Sequence, residues 1–189
     1  MSTQTTFTES VSGEKRILAL SNLRDGAFGM TAAFGASLAE AAAVCLEDQH
    51  HTSGVRLPVE GDCDVTCLLF WDQATDRMKR TWADRDAATE HGAYGLAVLL
   101  VRDLKNMTVG ERSYRGNGFD FWVGATHDGL FQRKTRLEIS GIRNGSDGVI
   151  RARLDEKIAR LHRYKNPLPA LIVVIEFGKP RSRLVNYNG

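Results

Sequence analysis

The spacing of apolar positions changes several times between residues 87 and 177, and each change predicts an element. Ala93, Ala97, Val101 and Leu104 recur at helical spacing, which predicts a helix over 87–104 with Asp86 as its N-cap. Two short runs, TVGERSY (108–114) and FDFWVG (119–124), flank Arg115-Gly116-Asn117-Gly118, whose residues tolerate positive φ and signal a hairpin. Asp128-Gly129 predicts the next turn. LFQRKTRLEISGI follows as a third strand, with Leu130, Gln132, Lys134, Arg136, Glu138 and Ser140 on one face and Phe131, Leu137 and Ile139 on the other. In the second strand the same alternation puts Asp120 with Trp122, opposite Phe119, Phe121 and Val123. Ile150, Leu154, Ile158 and Leu161 predict a helix over 148–163, stopped by Asn166-Pro167. LPALIVVIEF, a continuous apolar run, reads as a strand buried on both faces and reached by a helical crossover.

The preceding part of the chain is patterned less regularly. Ile17, Leu18, Leu20 and Leu23 suggest a short helix over 14–25, and the Ala- and Leu-rich segment 31–50 a longer one that packs closely on a neighbour. VRLPVEGD and DVTCLLFWD read as two strands joined by a Gly-Asp turn, with Pro58 marking an edge. Residues 73–86 are polar and predict a connector or short helix. Trp71 and Trp82 read as core or staple residues, and His50 and His51 as a helix end. No linker-like stretch divides the chain. The expected architecture is a single α/β domain, a central mixed β-sheet flanked by helices. Residues 1–86 would form a helix-and-hairpin extension of the core at 87–189.

The composition, 42% hydrophobic and 25% charged, is ordinary for a folded domain of 189 residues. No apolar run is long enough for a membrane helix. The first residues lack a secretory pattern and read as a polar terminus. Cys45, Cys63 and Cys67 fit neither a CxxC site nor paired bridges. They read as free thiols in a reducing compartment, and the expected location is cytoplasmic. The net charge of +2 conceals an asymmetry: residues 1–66 carry four basic and nine acidic residues, residues 133–165 ten basic and four acidic. Such a basic block suits a phosphate-binding face or a solvated helix face. No GxSxG motif or P-loop is present.

Three acids stand where this order of elements could gather them. Glu90 is one turn before Ala93 and Tyr94 on the helix stripe, where it is either a first-turn acid suited to the helix dipole or a carboxylate in need of a partner. Asp120 and Glu138 fall on neighbouring strands. The order from residue 87 is α-β-β-β-α-β, and with these acids it resembles the core of the PD-(D/E)XK nuclease superfamily, the restriction-endonuclease-like fold, over about residues 87–177. The resemblance implies a nuclease acting on nucleic acid phosphodiesters, in bacterial defence or DNA processing, with Glu90, Asp120 and Glu138 as ligands to Mg²⁺ or Mn²⁺. The lysine expected two residues after the third-strand acid is replaced by Ser140. Lys134 is the expected catalytic substitute, with Arg136 and Lys157 as others. Arg136, Arg151, Lys157 and Arg160 are expected to bind nucleic acid. The alternative is a nuclease-fold module that binds nucleic acid or a protein partner without cutting, alone, as a homodimer or within a larger system.

Overall fold

The computed structural model describes residues 16–26, 29–127, 130–163 and 168–188. In chain order it contains β1 (Arg16–Ala19), a 3₁₀ turn (Leu20–Asp25), α1 (Ala32–Asp48), β2 (Val55–Gly61), β3 (Val65–Phe70), α2 (Asp76–Thr81) and α3 (Arg85–Lys105). β4 (Thr108–Arg112), β5 (Phe121–His127), β6 (Leu130–Ile142), α4 (Asp147–Arg163), β7 (Ala170–Glu176) and β8 (Arg181–Tyr187) follow. The expected polar terminus, the turn at Asp128-Gly129 and the helix stop at Asn166-Pro167 lie outside the described residues.

All the described strands belong to one mixed sheet in the order β1-β3-β2-β8-β7-β6-β5-β4. β4, β5 and β6 form an antiparallel meander, and β7 joins β6 in parallel through α4. β7 is buried along its whole length between β6 and β8, as its unbroken apolar run predicts. α1 and α3 cover one face of the sheet, and α4 covers the other face at β6 and β7.

Several local expectations give way to tertiary packing. Residues 16–19 form a strand and not a helix, because they pair in parallel with Cys67–Phe70 and put Leu18 in the core. α3 starts at Arg85, capped by Asp84, whose side chain accepts from the N–H groups of Asp86 and Ala87. From Gly92 to Val101 it is buried on every side, since the sheet lies beneath it and α1 above. Small residues on both helices make that stacking possible: a Cβ on Gly92 of α3 would sit 3.1 Å from Ala42 Cα of α1, and one on Gly35 of α1 only 1.8 Å from the Leu23 carbonyl oxygen in the 3₁₀ turn. β2 is not an edge strand. It has β3 along most of its length but β8 only from Val59 onward, so Pro58 precedes the stretch paired on both sides. β8 lies inside the sheet and joins its two halves.

Candidate active site

The site forms where β5 and β6 part. Their ladder runs from His127↔Leu130 to Phe121↔Leu137, and β6 then continues to Ile142 with β7 on one side only. Asp120 takes the vacated edge. Its N–H donates to the Leu137 carbonyl at 2.9 Å, and its Oδ2 accepts the Ile139 N–H at 2.7 Å. A carboxylate thus replaces a strand carbonyl in the ladder, which fixes its position to that of the backbone.

A cleft of about 490 Å³ opens beside this edge. The first turns of α3 supply Asp86, Thr89, Glu90 and Tyr94, β6 supplies Ile139, Ser140 and Gly141, and α4 supplies Arg153, Lys157 and Arg160. Asp120 lies between these walls. Gly141 lets α3 approach β6, because a Cβ there would meet the Thr89 carbonyl oxygen at 2.5 Å. A larger depression, about 610 Å³ over β2, β3 and Arg183, holds surface charges and no buried titratable group.

The polar groups form two linked sets. In the first, the buried Tyr94 hydroxyl donates to Glu90 Oε1 at 2.6 Å and reaches Asp120 Oδ1 at 3.1 Å, so one proton serves two carboxylates. Burial and the two neighbouring acids push the Tyr94 phenol well above its ordinary range. In the second, Lys157 Nζ donates to Glu138 Oε1 at 2.7 Å, with Arg160 at 3.5 Å from the same oxygen. Glu138 is only 1% exposed and sits behind the cleft wall. Its Oε2 is buried with no partner among the described residues. Burial, with the charge of Asp120 adding to it, raises the Glu138 pKa against the pull of Lys157. Asp120 is raised too, chiefly by burial, although the Ile139 N–H and Lys157 oppose the shift. Arg153 donates to Ser140 Oγ at 2.9 Å, so a cation from α4 reaches the residue where the strand lacks one.

The cleft unites Glu90, Asp120, Lys157 and Arg160, with Glu138 directly behind. It excludes three other expected residues. Lys134 is exposed, sits at a β-bulge where Val123↔Thr135 gives way to Gly124↔Arg133, and does not line the cleft. Arg136 is 1% exposed, and its Nε and Nη2 donate to the Leu168 carbonyl at 3.1 and 2.7 Å, so it fastens the segment before β7 and offers no surface to a phosphate. Arg151 is exposed on α4 away from the cleft lining. Asp120 does not share the face of Trp122: it precedes β5 and reaches Tyr94 on the α3 side, whereas Trp122 packs in the cluster beneath α4. Tyr94 and Arg153 were not expected at the site. Their signals were present as spacing: Tyr94 is four residues after Glu90, and Arg153, Lys157 and Arg160 recur at i, i+4 and i+7 on one helix face.

The donor set of carboxylates suits Mg²⁺ or Mn²⁺, and the orphaned Glu138 Oε2 is an acceptor that a cation would satisfy. As the side chains stand, no three acid, His or Cys residues among those described are gathered to hold a metal ion. Tyr94 sits between Glu90 and Asp120, and Lys157 holds Glu138. Fit to a cation is therefore one of residue type and place, with Lys157 and Tyr94 already holding the acids. Among the described residues, no helix is long and apolar enough to cross a membrane. No family model, curated protein or solved structure matches the chain.

Proposed function

We propose that the chain is a divalent-metal-dependent nuclease with a restriction-endonuclease-like αβββαβ core, hydrolysing nucleic acid phosphodiesters in the cleft between α3 and α4. One observation carries this reading. Lys157 Nζ stands 2.7 Å from Glu138 and lines the cleft with Asp120 and Ser140, which supports α4 as the source of the lysine that β6 lacks. Asp120, Glu138 and Glu90 would hold Mg²⁺ or Mn²⁺, which polarises the phosphate and lowers the pKa of a bound water. The Ile139 N–H keeps the Asp120 carboxylate aimed at the cleft. Arg153 and Arg160 hold phosphate oxygens. Lys157, released from Glu138, orients the attacking water and balances the charge gained in the transition state.

The test is to incubate the purified protein with plasmid, single-stranded DNA and RNA in Mg²⁺ or Mn²⁺, then with chelator. The expected result is metal-dependent cleavage that chelator stops, that Asp120→Ala abolishes without unfolding the protein, and that Lys157→Ala lowers by about 10²-fold or more. A second reading is favoured by the closed arrangement of Tyr94, Glu90 and Asp120: a nuclease-derived module that binds nucleic acid and does not cut. Absence of cleavage under every condition, with binding that survives Asp120→Ala, would select it.

A further inference from the structure

The loop that ends in Asp120 has a second feature. Ser113 N–H donates to the Asp120 carbonyl at 2.8 Å, and Asn117 N–H donates to the Tyr114 carbonyl at 3.2 Å. Gly116, at φ 100°, sits at an open tip where an added Cβ would meet nothing within 4 Å. Tyr114 is therefore one residue from a rung whose other side is Asp120. With roughly 4.8 Å between paired strands and 3.8 Å per residue, its Cα lies within about 10 Å of the Asp120 Cα. Its side chain is 77% exposed, although tyrosine gains most from burial of its ring.

The surroundings of Tyr114 are basic. Arg112, two residues before it, and Arg115, directly after it, are exposed. Among the described residues neither enters an ion pair. Glu111 is already held by Arg133 through a fork at 2.8 and 2.6 Å, and the Arg133 guanidinium stacks over Trp122 at 5.0 Å. Free positive charge and an exposed aromatic face thus occur together beside the cleft.

We infer that this loop and the adjoining surface of β4–β5 dock single-stranded nucleic acid, with Tyr114 stacking on a base next to the phosphate in the cleft. Unpaired cations suit phosphates, and a naked ring suits an unstacked base. A duplex would satisfy the cations but hide its bases, leaving the ring exposed. The inference deepens the nuclease reading by naming its substrate as single-stranded.

The test measures fluorescence anisotropy of labelled single-stranded DNA, single-stranded RNA and the matching duplex with the full chain in chelator, so that binding is read without cleavage. Expected are a preference for single strands, a loss of about tenfold or more in Tyr114→Ala, and recovery in Tyr114→Trp. Arg112→Gln with Arg115→Gln should flatten the salt dependence, each lost contact lowering the slope by about 0.7. The two single-strand arms identify which polymer is held. An affinity unchanged by Tyr114→Ala, or equal affinity for duplex and single strand, would overturn the inference. Tyr114-dependent binding without cleavage in Mg²⁺ or Mn²⁺ would leave this surface standing and remove the nuclease. Cleavage with no dependence on Tyr114 would do the reverse.

Discussion

Along β6, Leu137 and Ile139 are buried against the α1 and α3 layer, while Arg136, Glu138 and Ser140 are buried as deeply on the side of α4. The first face joins an apolar cluster that includes Leu38, Ala42, Leu96, Leu100, Val173 and Phe177. The second has a smaller apolar cluster around Ile150, Leu154, Ile172 and Val174, interrupted by charge. Apolar burial stabilises by about 25 cal/mol per Å², whereas a buried charge lowers stability unless it is paired and hydrogen-bonded. One strand therefore presents an apolar face to α1 and α3 and a face of buried polar groups to α4. Separating the two lets the cleft hold carboxylates at raised pKa without the whole domain depending on them.

The contrast can be broken most severely from the apolar side. Leu38→Ala, at a fully buried site in α1, should lower the unfolding free energy by about 3–4 kcal/mol in urea denaturation. On the α4 side, Lys157→Met leaves Glu138 buried with only the more distant Arg160 and should cost about 2–3 kcal/mol at pH 7. That loss should shrink on acidification. The folded-state pKa of Glu138 is already raised, so its ionised form opposes folding, and protonation removes the unpaired charge. A sharper comparison removes both partners: Glu138→Leu with Lys157→Met should return stability to within about 1 kcal/mol of the parent, or above it. A result as low as that of Lys157→Met alone would show that the pair holds the fold as well as the site.

The pH dependence should also divide the two faces. Glu138 and Asp120 both have raised folded pKa values, so the stability they contribute is full below the unfolded carboxyl range and lost as pH rises through the folded values. Between those limits, Asp120→Asn with Glu138→Gln should flatten the slope of stability against pH measured in parallel with the parent. An unchanged slope would mean that these carboxyls titrate as free groups. The smallest effect belongs to the surface. Glu60→Gln, which breaks a 3.1 Å pair with Arg183 between half-exposed side chains, should change stability by less than about 1 kcal/mol.

The sequence made the local periods readable and left the long-range pairings hidden. The 3.6-residue spacing of Ile150, Leu154 and Leu161 and the unbroken run at 170–176 lead directly to α4 and β7. Four apolar residues at 17–23 could not reveal that Arg16–Ala19 pairs with a strand some fifty residues away. At the site, the acids at 90, 120 and 138 were legible from element order. Among the expected cations, Lys157 and Arg160 line the cleft but Lys134 and Arg136 do not: strict alternation aimed these two toward the cleft, yet a bulge displaces the first and the Leu168 carbonyl captures the second. Lys157 reaches Glu138 through a helix crossing, which no strand pattern encodes.

The placement of β8 has a consequence for how the molecule assembles. The sheet's two halves meet only where β8 lies between β2 and β7, at Val59↔Ser182, Glu60↔Arg183 and Gly61↔Leu184, with Asp62 accepting from the Asn186 N–H. More than a hundred residues separate the strands of that seam, so its loop-closure entropy is met late in folding. On a ribosome, the β2–β3 ribbon leaves the exit tunnel early and presents an unpaired edge until residues 181–187 have been made. The cleft, lined by residues between 86 and 160, needs only contacts within the later part of the chain. Birth order and assembly order therefore run in opposite directions: the hairpin synthesised first is the last to be locked into the sheet.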